Sequence, residues 1–326
     1  MNQFGKAFRL SIWGESHGPA VGITIDGVKP GIALSEGDFE TDLSRRRGGA
    51  AGTTPRKEAD LPHLLSGVYE GRTTGAPLTI LFTNDNTRSK DYSNLTHHFR
   101  PSHADRVAHV KYEGYNDPRG GGHFSARLTV ALVAAGVVAK KMLPEGVIFS
   151  TRLVSVGGEC NPTRFEEVIH AAQTEGDSVG GVVECRIEGL PTGVGEPLFD
   201  SVESIASHLL FAIPAVKGVE FGDGFEVATR RGSENNDLIL NAQGHTATNH
   251  AGGIDGGISN GNPLVVRAAF KPTPSISREQ QTFDTATGQI EPLMIHGRHD
   301  ACVALRGAVV VEAVMALALT ELALRR

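Results

Sequence analysis

The chain closes on its most apolar stretch, ACVALRGAVVVEAVMALALTELALRR, residues 301–326. Arg306 and Glu312 interrupt it, so the uninterrupted apolar run is too short to span a bilayer. A segment apolar on almost every side must instead be buried by the rest of the protein, which predicts a buried C-terminal helix over 301–324. SARLTVALVAAGVVAKKML, residues 125–143, has the same character and reads as a second long helix at the centre of the fold.

The remaining segments supply strands and amphipathic helices. AVGITIDG (20–27) alternates and is rich in β-branched residues, the mark of a strand. PLTILFTN, VIFSTRLVSVGG, GGVVECRIEGL and NPLVVRAAF read the same way. LSEGDFETDLSRRR (34–47) predicts a helix capped by Ser35, with acids first and arginines last, matching the helix dipole. SHADRVAHVKYEGY (102–115) predicts a helix capped by Ser102. NPTRFEEVIHAAQ has Asn161 as cap and Pro162 at the first helical position, and SVESIASHLLFAI is a further helix. Strands and helices recur in similar order in the two halves, which suggests two related α+β halves packing helices against sheets. With no Pro- or Ser-rich linker, residues 1–326 are expected to form a single domain.

Charge and cysteines narrow the function classes. The 37 acidic residues outnumber 31 basic ones, which argues against a protein built to coat nucleic acid. Cys160, Cys185 and Cys302 lie far apart with no CxxC spacing, so neither a disulfide framework nor a zinc site is indicated, and buried reduced thiols are expected. The N-terminal MNQFGKAFRLSIW lacks the apolar core of a secretory signal, and the expected location is cytoplasmic.

Several motifs could carry chemistry. Gly14-Glu15-Ser16-His17-Gly18 fits G-x-S-x-G, the nucleophile elbow of α/β-hydrolases, which would make Ser16 a nucleophile. An elbow must lead into a helix, however, and here an alternating strand follows. FRPSHADRVAHVKYEG places Arg100 and His103 beside a helix start, where an anion could be held. DPRGGGHFSAR (117–127) sets three glycines between two arginines ahead of an apolar helix, a candidate phosphate cradle or a plain tight turn. SRRRGG (44–49) concentrates arginines suited to bidentate anion binding or to an ordinary solvated helix end. HGRHDACVALRG (296–307) places Arg298, His299 and Asp300 just before the last helix. NHAGGIDGGISNG reads as a loop, and KPTPS as a turn carrying a lysine. Arginines, histidines and one aspartate at glycine-rich helix starts suit a polyanionic small molecule with proton transfer, and no metal-ligand motif is present.

In combination these motifs resemble the chorismate synthase family. GESHGPAVGITIDGVKP (14–30), GGGHFSARLTVALVAAGVV (120–138) and RHDACVALRGAVVVEAVMA (298–316) are similar to three family signatures, and RPSHAD, AVKGVEFGDGF, RGSENND, NHAGGIDGGISNG and KPTPS agree in the same order. The resemblance implies an α+β sandwich of central helices between antiparallel sheets, assembled as a homotetramer. It implies anti-1,4-elimination of phosphate from 5-enolpyruvylshikimate 3-phosphate, giving chorismate, with reduced FMN and no net redox change. A substrate with a phosphate and two carboxylates gives the arginines a reason to converge.

Residue by residue, the resemblance makes His17 the acid for the leaving phosphate and places His103 on the reduced flavin ring. Asp300 is implied as the relay for the ring proton. Ser16, Arg46, Arg56, Arg100, Ser125, Arg127 and Arg298 are implied as substrate contacts. Flavin contacts are implied for Arg46, His123, Phe124, Ser125, Pro214, Ala215, Gly256, Lys271, Pro272, Thr273, Pro274, Ser275 and Arg298. Three departures stand out. Ala51 replaces an arginine that many members carry, Pro214-Ala215 replaces Asn-Ala, and the segment after STRLVSVGG is short, which predicts a trimmed surface loop. NADPH enters as a reductant of the flavin. With no inserted reductase domain and no Rossmann fingerprint, an external source is expected. A serine hydrolase using Ser16 and a non-catalytic flavin- or phosphate-binding protein are the competing readings.

Overall fold

The computed structural model describes residues 2–54, 58–86, 97–295 and 299–325. Strands β1 (Gln3–Phe4), β2 (Arg9–Gly14), β3 (Ala20–Asp26), β4 (His63–Ser66) and β5 (Leu78–Thr83) form an antiparallel sheet in the order β1-β2-β3-β5-β4. The alternation read in the sequence sets its faces. Val21, Ile23 and Ile25 of β3 and Leu78, Ile80 and Phe82 of β5 are fully buried, and the register pairs Ile23 with Ile80 and Val21 with Phe82. A second antiparallel sheet has β6 (Ile148–Val156), β7 (Gly181–Glu188), β8 (Val216–Phe221) and β9 (Leu264–Phe270) in the order β8-β9-β7-β6.

Helices α1 (Glu40–Arg46), α2 (Asp105–Lys111), α3 (Thr129–Met142), α4 (Phe165–Thr174), α5 (Val202–Leu210) and α6 (Ala304–Ala323) complete the frame. The two apolar helices are central. α3 packs on β3, α6 packs on β6 and β7, and the two pack on each other, giving the layers sheet, helix, helix, sheet. Every residue from Thr129 to Ala139 is buried, as expected of a helix with no polar face. The helices meet at Gly136, where a Cβ would lie 2.5 Å from that of Ala313. A contiguous apolar core runs from Phe8 to Leu322. No helix among the described residues is long and apolar enough to cross a membrane.

Two expectations are corrected. Ser102 does not cap α2. Its backbone is left-handed (φ 57°), and the helix starts at Asp105 after Ala104. Cys160 is exposed, unlike the buried Cys185 and Cys302, although all three are free. As the strand that follows it indicates, Ser16 is not on a nucleophile elbow, because its turn joins β2 to the paired strand β3.

Two carboxylates sit within apolar α6. Glu312 is held by Arg45, Lys140 and Thr151. Glu321 is fully buried and accepts the backbone N–H groups of Lys6 at 2.6 Å, Ala7 at 3.1 Å and Phe8 at 2.5 Å, as well as Arg325. Burial opposes its ionisation, but the N–H donors of Phe8 and Lys6, with Arg325, outweigh it and hold the pKa below the usual carboxylate range. A carboxyl group whose folded pKa is depressed stabilises above its unfolded pKa and loses that contribution as pH falls through the folded value. Glu321→Ala is therefore expected to cost about 3 kcal/mol at pH 7, because it orphans three donors. Urea unfolding should show that difference shrinking below about pH 4.

Candidate active site

The ends of α3 and α6 open, with the β2–β3 turn, onto a cavity of about 810 Å³. His17, Arg46, Arg100, His103, His123, Phe124, Ser125, Arg127, Pro214, Ala215, Lys271, Thr273, Pro274, Ser275 and Asp300 all line it. The motifs quoted from distant parts of the sequence thus converge on one space. Ser16 lies directly behind His17 and is fully buried. Pro272 sits between two lining residues without lining the cavity, and Gly256 lies in the Ile254–Ser259 hairpin, away from it. Arg56 and Arg298 lie outside the described residues.

The glycine triplet is shaped by its neighbours. Gly120, Gly121 and Gly122 all have positive φ, which fixes the residue type. A Cβ at Gly120 would fall 2.6 Å from the His17 ring, and one at Gly121 would fall 3.2 Å from His103. The loop is therefore a wedge against both histidines. The sequence pattern offered a phosphate cradle or a tight turn for this loop, and the contacts with two histidines are a further reason for glycine at Gly120 and Gly121. The Ser16 N–H donates to the Gly122 carbonyl at 3.1 Å, locking the His17 turn to the wedge. The Asn84 amide donates to the carbonyls of Glu15 and Gly18 at 2.9 Å and accepts from Arg127 Nε at 3.0 Å, so one side chain fixes both the turn and the arginine.

His103 has a defined tautomer. Its Nδ1 lies 2.5 Å from Asp105 Oδ1 and 3.1 Å from Arg100 Nη2. The carboxylate can only accept, its contact with Nδ1 is the shorter, and Arg100 Nη2 donates to that carboxylate at 2.7 Å, so Nδ1 carries the hydrogen and gives it to Asp105, leaving Nε2 for chemistry. Arg100 binds the same carboxylate through Nε and Nη2, both at 2.7 Å, and reaches Ser275 Oγ at 3.0 Å. Burial is the main force lowering the His103 pKa, and Arg100 adds to it, while Asp105 pulls the other way. Asp105 itself, despite burial, is held far below the usual range by Arg100 and His103. His123 donates Nδ1–H to the Gly14 carbonyl at 2.7 Å, which fixes its tautomer too.

Asp300 accepts the Thr54 N–H at 2.9 Å and Arg306 Nη1 at 3.0 Å. Arg306 Nε also donates to the Arg46 carbonyl at 2.7 Å. Arg46 is almost wholly buried. Burial pushes its pKa down to about 9, with Asp60 opposing, and it remains a cation at neutral pH. Asp60, Asn84, Asp105 and Arg306 were not picked out as site residues from the sequence. Only Asp105, two residues after His103 in RPSHAD, and Arg306, inside the third signature, carried a local signal.

Buried cations, two histidines with assigned tautomers and a paired aspartate around one cavity define an acid–base enzyme acting on a polyanion. The sequence matches the family described as Chorismate synthase over residues 8–324. It is 57% identical over 321 residues to the chorismate synthase of Chitinophaga pinensis, covering 98% of this chain and 96% of that one. It is 43% identical over 349 residues to that of Opitutus terrae, covering 98% and 96%. A solved structure titled "Crystal Structure of Chorismate Synthase" superimposes with a TM-score of 0.75 at 27% identity, covering 99% of this chain and 93% of that one. The chain belongs to the chorismate synthase family of carbon–oxygen lyases, enzymes of the shikimate pathway to aromatic amino acids.

Proposed function

We propose that this cavity is where phosphate is eliminated from 5-enolpyruvylshikimate 3-phosphate to give chorismate. The observation that carries the reading is the convergence of His17, Arg100, His103, Arg127 and Asp300, from four separate segments, on one cavity. Arg46, Arg56, Arg100, Arg127 and Arg298 are assigned to the phosphate and carboxylates, with Ser16 and Ser125 as hydrogen-bonding partners. His17 protonates the leaving phosphate, and Asp300 accepts and passes on the ring proton through its carboxylate. His103, with Nε2 free of its Asp105 bond, holds or gives a proton at that atom.

The cavity also fits reduced FMN. Two buried polar atoms on its wall, His299 Nε2 and Thr273 Oγ1, find no hydrogen-bond partner among the described residues. Burial, with Arg100 beside it, drives the His299 pKa down to about 4, so its imidazole is neutral. Leu10, Ile12, Leu209 and Ile213 give the same cavity an apolar wall suited to a flat ring system. Residues assigned to hold the flavin are His103, His123, Phe124, Ser125, Pro214, Ala215, Lys271, Thr273, Pro274 and Ser275, with Arg46 and Arg298 completing the set, while Gly256 and Pro272, which do not line the cavity, are left out of it. Bound there, the reduced flavin supplies transient electron density that helps phosphate leave. We assign its reduction to an external source rather than to NADPH bound by this chain.

Residues 1–326 are read as one domain, supported by the core shared between both halves. A homotetramer is supported by Leu198, Phe199, Phe225 and the run Leu238–Leu240, all largely exposed in the single chain. A cytoplasmic location is supported by the three free cysteines.

The test is anaerobic turnover. With reduced FMN, one phosphate should appear per chorismate, followed by absorbance, and with oxidised FMN alone neither should form. Chorismate formation without flavin, or none with it, contradicts the reading.

A further inference from the structure

Asp60 is 4% exposed and has a left-handed backbone (φ 49°), an uncommon conformation for an aspartate buried at a cavity wall. Its Oδ2 accepts Arg46 Nη1 at 3.0 Å, and its Oδ1 accepts Arg127 Nη1. The rest of each guanidinium is pinned elsewhere. Arg46 Nε donates to Thr129 Oγ1 at 3.0 Å, and its Nη2 donates to the carbonyls of Ala126 and Arg127, both at 3.1 Å. Arg127 Nη2 donates to the Thr83 carbonyl at 3.1 Å. A guanidinium has five N–H bonds. Among the described residues, Arg46 therefore keeps one uncommitted N–H and Arg127 keeps two. Two cations share one carboxylate, so the trio carries a single net positive charge.

We propose that Asp60 is a positioning residue: it presets Arg46 and Arg127 for the substrate and, by cancelling one of their charges, limits how tightly the cavity grips phosphate. The inference rests on the reading of this cavity as the substrate site. Without the carboxylate, two buried guanidiniums repel each other and lose their common anchor. The wall would then attract a free anion more strongly while presenting it in the wrong geometry.

The probe is inorganic phosphate, measured as a competitive inhibitor of the anaerobic reaction and by calorimetry. In Asp60→Asn, phosphate affinity is expected to rise about tenfold while kcat falls about 100-fold and KM rises less than about threefold. A purely structural role would lower the active fraction and leave phosphate affinity unchanged. In Asp60→Glu, which keeps the charge but moves it, phosphate affinity should stay within about twofold of the parent while kcat falls. This variant carries the test if Asp60→Asn does not fold. Unchanged or weaker phosphate binding in Asp60→Asn, or tightened binding in Asp60→Glu, overturns the role of Asp60 alone. Failure of phosphate to compete with substrate on the parent enzyme overturns the reading of the cavity, and this inference with it.

Discussion

Replacing His17 by alanine is expected to lower kcat by about 1,000-fold and to change flavin affinity by less than about threefold. The imidazole lies under Gly120, in a turn held by Ser16 and Asn84, and is almost fully buried. That setting holds the ring where it can meet one reacting group, and His17 is not among the residues assigned to the flavin. If the ring protonates the leaving phosphate, the defect should shrink for a substrate analogue whose leaving group departs without a proton. Parent-like turnover in His17→Ala, or an equal defect for every leaving group, would remove the acid role.

A loss of similar size is expected for Asp105→Asn, for a different reason. Asp105 receives the Nδ1 hydrogen of His103 and both donors of Arg100. An asparagine can turn its NH₂ towards Nδ1, which drives the hydrogen to Nε2, the wrong atom for a group that must exchange a proton there. The expected fall in kcat is about 1,000-fold. The carboxylate also favours the charged imidazole against burial and Arg100, so its loss should lower the His103 pKa further. The limb of the kcat–pH profile that reports this histidine should therefore move to lower pH. An unmoved limb would mean that Asp105 only braces the fold.

Much of the frame could be read from local pattern. The alternation in β3 and β5, the apolar helices α3 and α6, and the Asn161 cap all appear where residue spacing placed them, because burial and capping act over a few residues. Strand β8 was not legible, since VKGVEF has no clean alternation and gains its place from pairing with β9. The Ser102 cap failed because the preceding loop turns through a left-handed residue. In the site, most of the motif-borne residues line one cavity; Ser16, Gly256 and Pro272 do not, and two arginines lie outside the described residues. Residues that hold others in place stayed hidden. Asp60 meets Arg46 across 14 positions and Arg127 across 67, and no local window contains both contacts. The glycine triplet was visible, but its reason was not, because the rings it abuts come from two other segments.

A crystal structure of the protein with 5-enolpyruvylshikimate 3-phosphate and FMN tests the central claim most directly. The account predicts both ligands in the cavity between the β2–β3 turn and the start of α6, with the substrate phosphate within hydrogen-bonding distance of His17 and Arg127. It also predicts that the flavin satisfies Thr273 Oγ1 or His299 Nε2. Ligands bound elsewhere on the chain, or a substrate phosphate remote from His17, would contradict it.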